Sequence, residues 1–265
     1  MASVLLESFL KQKLIRPQEV LVSRRSAQAL HAIKKHLKVH TTQDNQKLAS
    51  SVEYLWLGIK PTQAAETLKN LGPSLSKHSL VLSMMAGVSI KSIQKLLSQP
   101  KISVIRLMPN TPTLLGQGMT GLYFPSNLSP KHQKTILKLL QATGEVYQAK
   151  QEKELDAVTA LSGSGPAFIY YLAQALIEGG KQSGLSQKAS QQLSYQTLQG
   201  AIAMLKQSQK NPEELIQQVV SPKGTTEAGL NYLKKHQVQK HLSQSIKAAH
   251  QRAQAIKREL ESCLS

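Results

Sequence analysis

The first half of the chain alternates between short apolar runs and amphipathic stretches. Glu19–Ser23, Glu53–Ile59, Ser79–Ser83, Ile102–Arg106, Thr120–Phe124 and Glu145–Tyr147 are apolar runs of strand length. Between them, Val4–Leu14, Ala27–Leu37, Thr62–Leu71, Ile90–Leu97 and Pro130–Gln141 repeat apolar residues at helical spacing. Strands alternating with helices of about ten residues predict βαβ units in a mostly parallel, doubly wound α/β sheet. From Lys153 onward the strand pattern stops. Leu155–Leu161, Ala167–Gln182, Gln187–Gln207, Pro212–Val220, Thr226–Leu233 and Val238–Leu260 all read as helices joined by short turns. The change of element type predicts two domains, residues 1–150 of Rossmann-type α/β class and residues 151–265 all-helical. Two helices of the second half are long and apolar on one face, which predicts packing against a partner subunit.

Two loops of small residues stand out against this pattern: Leu161-Ser-Gly-Ser-Gly-Pro166 and Val220-Ser-Pro-Lys-Gly-Thr-Thr226. Each runs straight into an amphipathic stretch. A Ser/Gly/Thr turn that opens a helix leaves backbone N–H groups unpaired at the positive end of the helix dipole, a site for a carboxylate or phosphate. The same residues also serve as ordinary helix caps, so neither loop decides the matter alone.

Composition narrows the class. The 265 residues carry a net charge of +18, but only six of the 33 basic residues are arginine and the lysines are spread along the chain. Aromatic residues make up 4%. A nucleic-acid binder concentrates its charge and interleaves stacking groups, so the pattern argues against that class and leaves a field that steers small anions. The longest apolar run, around Leu80–Ile90, is broken by Ser83, Gly87 and Ser89 and is too short to span a bilayer. No signal peptide is visible, and the single cysteine, Cys263, excludes an internal disulfide; both point to a reducing cytoplasm.

In a doubly wound dinucleotide domain, the end of the second strand meets the adenosine ribose. An acidic residue there selects NAD, and arginine accommodates the 2′-phosphate of NADP. The corresponding run ends in Ser23-Arg24-Arg25, with no carboxylate. A hydroxyl and two guanidinium forks suit a phosphate monoester, so NADPH is the expected cofactor, with NADH possible. Gly58-Ile59-Lys60-Pro61, Ser83-Met-Met-Ala-Gly-Val88 and Arg106-Leu-Met-Pro-Asn-Thr-Pro112 end the next strands on the same predicted edge, where ligands bind in such sheets. No Gly-x-Gly-x-x-Gly occurs; the numbering starts at a helix, where a strand and phosphate loop are expected. A sheet without that strand leaves its neighbours unpaired, so the polypeptide as written is expected to bind NADPH poorly and to fold chiefly through its helical half.

These motifs, in this order and spacing, resemble pyrroline-5-carboxylate reductase across essentially the whole chain. The Ser-Pro-x-Gly-x-Thr loop is the most specific of them. The resemblance implies reduction of the C=N bond of 1-pyrroline-5-carboxylate to L-proline by NAD(P)H, and a helical domain that interleaves with a second subunit in a homodimer or larger ring. It places Ser23, Arg24 and Arg25 at the ribose and its 2′-phosphate, and Asn45 on the adenine side. Lys60 and Pro61 fall near the nicotinamide, and Ala86 where the cofactor packs close. Glu152, Gln218, Thr225 and Thr226 fall at the substrate end, with the N–H groups of Gly224 and Thr225 helping Thr226 hold the carboxylate. The loop departs from the family at Lys223, where glycine is usual. A protonated imine needs alignment more than acid–base help, so no catalytic residue is assigned, and His31, His36, His40, His78 and His132 are read as surface residues. The rival readings are a related NADP-dependent hydroxyacid dehydrogenase, against which Lys181 lacks the flanking asparagine pattern, and a helical assembly module without activity. Of the two small-residue loops, Val220–Thr226 is read as the carboxylate clamp and Leu161–Pro166 as the cap of a dimer-forming helix.

Overall fold

The computed structural model describes residues 1–262, so Cys263 lies outside the described residues. The elements run α1 (Ala2–Lys11), β1 (Leu21–Ser23), α2 (Ala27–Leu37), β2 (His40–Thr42), α3 (Asn45–Ser51), β3 (Tyr54–Leu57), α4 (Ala64–Leu71), β4 (Leu80–Ser83) and α5 (Ile90–Leu96). They continue with β5 (Ser103–Pro109), β6 (Gly118–Tyr123), α6 (Pro130–Gln141), β7 (Gly144–Gln148) and α7 (Glu154–Val158). The remainder is helical: α8 (Gly165–Gln182), α9 (Gln187–Gln207), α10 (Pro212–Val219), α11 (Thr225–Lys235) and α12 (Val238–Ser262).

The strands form a five-stranded sheet of order β3-β4-β5-β6-β7 and a separate parallel pair, β1-β2. β3, β4 and β5 are parallel, in register Tyr54↔Leu80↔Ser103. β6 runs antiparallel to β5 because only a short 3-10 turn, Thr111–Leu115, joins them, too short for a crossover. α6 supplies a crossover, and β7 lies parallel to β6. Alternation along the strands sends Leu55, Leu57, Val81 and Val104 to one face, against Leu48, Leu68 and Ile93 of α3, α4 and α5. Leu80, Leu82, Ile105, Leu107 and Leu122 face the other way, against Ile136 and Leu140 of α6. On that second side Phe9 of α1 meets Trp56 edge-on, with ring centroids 5.6 Å apart. Both faces of the sheet are covered, as a doubly wound architecture requires.

The chain divides into two compact units, Met1–Ser164 with residues 248–262, and Gly165–Lys247. This differs from the division into residues 1–150 and 151–265. Residues 152–164 stay with the sheet because Leu155 and Ala160 are buried against it and Tyr147 Oη donates to Glu154 Oε2 at 2.7 Å. That hydrogen bond holds the Glu154 carboxyl below the usual carboxylate range. The end of α12 joins the same unit: Ala253 is buried, and Gly87 is so close to Ile256 that a Cβ there would lie 2.9 Å from it.

In the second unit, α8 and α9 pack tightly where Gly180 meets the buried Ser190; a Cβ at Gly180 would lie 2.8 Å from Ser190 Oγ. Ile169, Tyr171, Leu193 and Tyr195 of these helices remain exposed. No helix among the described residues is long and apolar enough to cross a membrane.

Candidate active site

The first unit gathers its predicted site residues at the carboxyl ends of parallel strands. Ser23 closes β1, and its Oγ donates to Asn45 Oδ1 at 2.5 Å. Asn45 opens α3, whose cap Asp44 accepts from the N–H groups of Gln46 and Lys47. The β2–α3 segment does not show in the apolar pattern, because His40-Thr-Thr42 is polar and the helix after it has seven residues. The Ser23–Asn45 contact it creates joins two residues that sequence alone places far apart.

The two arginines diverge. Arg24 Nη2 donates to Ser3 Oγ at 2.7 Å, whereas Arg25 Nη2 lies 3.2 Å from Glu66 Oε2 of α4, with both of the latter side chains largely exposed. Ser3 stands in the first turn of α1, whose N-cap Met1 offers no side-chain acceptor. The same helix end meets β3: a Cβ at Gly58 would lie 2.6 Å from Ala2 Cβ and 3.8 Å from Met84 Cε. The N-terminus of α1 therefore sits among the ends of β1, β3 and β4, with its first N–H groups available to an anion. Ser3 is not among the residues nominated from the sequence.

Lys60 caps the 3-10 turn Pro61–Gln63, its N–H donating to Gln63 Oε1 at 3.3 Å. Ala86 lies in the turn after β4, beside Gly87 in the left-handed region at φ +71°. Met85 and Val88 flank this turn as buried anchors. The β1-β2 pair stands apart from β3, as expected where a strand and Gly-rich loop are missing, but the residues around that gap still fit a dinucleotide: a hydroxyl–amide pair and two guanidinium groups at one strand end, a helix N-terminus beside it, and a small-residue turn after β4.

Glu152 is placed with the sheet. Its Oε1 accepts from Arg106 Nη1 at 3.0 Å and from the Ile90 N–H at 2.8 Å. Arg106, on β5, is 3% exposed, and its Nη2 is 3.8 Å from Asp156 Oδ1. Asn110, just after β5, accepts from the Met119 N–H and donates to the Ser162 carbonyl.

The second unit holds the other predicted residues. Gln218 is exposed near the end of α10. Gly224 is the N-cap of α11 and has no side chain with which to satisfy the first-turn N–H groups of Thr225 and Thr226. Its N–H donates to the Ser221 carbonyl at 2.9 Å, and an added Cβ would collide with Ser221 Oγ. Lys223 adopts φ +58°, a conformation that costs a non-glycine residue roughly 1 kcal/mol. The Lys223 N–H donates to a Glu227 carboxylate oxygen at 2.7 Å, which ties the loop to the helix it opens.

The other small-residue loop is different. Thr159–Gly163 is a π-helical turn, and the Ser164 N–H is already spent on the Thr159 carbonyl at 2.9 Å. Leu161–Pro166 is thus not a capped helix start with free donors. It is a bulged turn leading to α8, with Asn110 fastened to it at Ser162. Lys181, the residue weighed for a dehydrogenase role, pairs with Glu178 at 2.8 Å on an exposed face.

Comparison with known proteins adds the family. Residues 152–256 match the family model described as pyrroline-5-carboxylate reductase dimerisation, and residues 1–87 match one described as NADP oxidoreductase coenzyme F420-dependent. A pyrroline-5-carboxylate reductase of Synechocystis is 33% identical over 97% of this chain and 94% of its own length. Pyrroline-5-carboxylate reductase 1 of Bacillus subtilis is 33% identical over 98% and 88% of the two chains. The crystal structure of the Plasmodium falciparum pyrroline carboxylate reductase with NADP bound superposes with a TM-score of 0.88 at 27% identity, covering 96% of this chain and 94% of that one. With sequence matches of this extent, the chain belongs to the pyrroline-5-carboxylate reductase family.

Proposed function

We propose that this protein reduces 1-pyrroline-5-carboxylate to L-proline, taking the hydride from NADPH. The observation that carries this reading is the uncapped N-terminus of α11, at Gly224, Thr225 and Thr226, in a chain of this family. The N–H groups of that turn and the Thr226 hydroxyl hold the substrate carboxylate, with Gln218 of α10 as a further polar contact. Gly224 is required there because a side chain would collide with Ser221.

NADPH is held by the first unit. Ser23 takes the ribose and Asn45, bonded to it, the adenine side; Arg24 and Arg25 take the 2′-phosphate, the N-terminus of α1 with Ser3 the pyrophosphate, and Lys60, Pro61 and Ala86 the nicotinamide end. Bound there, the dihydronicotinamide supplies a hydride to the imine carbon. The protonated imine is already electrophilic, so the chain contributes orientation, and the reduced nitrogen keeps the proton with which it entered. The exposed apolar residues of α8 and α9, in the segment matched by the dimerisation model, support a homodimer. The single cysteine supports the cytoplasm as its compartment.

The cofactor assignment makes a separable prediction. In the double variant R24A/R25A the KM for NADPH rises about 10- to 100-fold, the loss expected for charge-assisted hydrogen bonds to a phosphate, while the KM for NADH stays within a factor of about two. Steady-state kinetics with both cofactors decides it; an equal rise for NADH places the arginines elsewhere.

A further inference from the structure

Arg106 is the most deeply buried cation among the described residues, and the carboxylate it grips does a second thing. The residue lies in the middle of the sheet on β5, 3% exposed, between two carboxylates four residues apart in the chain. Toward Asp156 the contact is open: Arg106 Nη2 and Asp156 Oδ1 are 3.8 Å apart, and each lacks a hydrogen-bond partner. Toward Glu152 it is closed, at 3.0 Å. The same Glu152 oxygen accepts the Ile90 N–H at 2.8 Å.

Ile90 is the first residue of α5, and the turn that precedes it is Met84–Ser89, which contains Ala86 and Gly87. One end of that turn is fixed by β4. The other is fixed through Ile90 to Glu152, and through Glu152 to a guanidinium held in place by β5. Ser89, the cap of α5, spends its hydroxyl on the Ser92 N–H, so it does not duplicate this anchor.

We infer that Glu152, oriented by Arg106, is a positioning residue for the β4–α5 turn and thereby for the cofactor, and that it does not touch the substrate. The inference rests on the reading that Ala86 faces NADPH. Glu152 acts through the Ile90 amide, so what its loss changes is the placement of the turn.

Three variants test this: Glu152→Ala, Glu152→Gln and Ala86→Leu. Binding of NADPH is followed by fluorescence titration, KM for 1-pyrroline-5-carboxylate by steady-state kinetics, and the Ile90 amide by hydrogen exchange. Glu152→Ala is expected to weaken NADPH binding about tenfold, to leave the KM for the imino acid within about twofold, and to speed exchange at Ile90. Glu152→Gln keeps an oxygen acceptor for both donors and is expected to retain NADPH binding within about threefold and the protection of Ile90. Ala86→Leu is expected to weaken NADPH binding by crowding the turn. A raised imino-acid KM with unchanged NADPH affinity in Glu152→Ala overturns the inference, since Glu152 then contacts substrate. Equal damage from the alanine and glutamine variants overturns it as well. Unchanged NADPH binding in Ala86→Leu overturns the cofactor placement itself, and the inference with it. Weakened binding in Ala86→Leu with none in Glu152→Ala overturns the inference alone.

Discussion

Replacing Thr226 by valine raises the KM for 1-pyrroline-5-carboxylate by roughly 10- to 100-fold and leaves NADPH binding unchanged. That is the size of effect expected when a hydroxyl bonded to a charged ligand group is removed without change of shape. The reason lies in how α11 begins. Many helix starts in this chain are sealed by their own side chains: Ser26 caps α2, Ser89 caps α5, Ser129 caps α6 and Ser186 caps α9. At α11 the cap is Gly224, which seals nothing. The loop before it is held rigid by other means, the Gly224–Ser221 turn and the Lys223–Glu227 bond. A rigid loop with unspent donors is preorganised for an anion, so its donors need no rearrangement to accept one. Measurement of both Michaelis constants for Thr226→Val checks the assignment. A rise confined to NADPH moves Thr226 out of the substrate site.

The second large effect is on stability. Arg106→Met is expected to destabilise the fold by about 3–5 kcal/mol, because it leaves the Asp156 and Glu152 carboxylates facing an apolar side chain in the sheet. The cost comes from stranding the partners and does not equal the worth of the ion pair. Arg106→Lys restores the charge but not the fork that reaches toward both carboxylates, so it recovers only part of the loss. Urea denaturation of the three proteins is the measurement, and the expected order of midpoints is wild type, then lysine, then methionine. A methionine variant as stable as wild type shows that Arg106 and its two carboxylate neighbours do not hold the sheet together.

Much of this architecture is legible in the residues because the apolar periods change where the elements change. α2, α6 and α9 occupy the predicted ranges without shift: Ser26, Ser129 and Ser186 cap them, and the apolar spacing runs to their ends. β2 and α3 escape the pattern because their burial comes from packing, not from local composition; Val39 is buried beside β2 while His40 is exposed. β5 runs three residues past its predicted end, through Leu107, Met108 and Pro109, because β6 folds back to pair with it. That pairing depends on a turn whose reach a linear pattern does not show.

The site is legible in the same uneven way. The proposed clamp at the start of α11 is local, built from a loop and the turn after it, so its chemistry can be seen in a few consecutive residues. The pairing of Ser23 with Asn45, the closing of Arg24 on Ser3, and the capture of Glu152 by Arg106 join positions far apart in the chain. Only the folded sheet and its helices bring those together. The π-turn at Thr159–Gly163 is the opposite case, a local motif that looks like an open helix start but has its Ser164 amide already committed.

The reaction itself is the most direct test. Purified protein is incubated with NADPH and 1-pyrroline-5-carboxylate, and the loss of NADPH is followed alongside the appearance of L-proline. The expected result is one L-proline formed for each NADPH consumed, with the rate falling in Thr226→Val at low substrate. No NADPH consumption on addition of the imino acid, or consumption without L-proline, contradicts it.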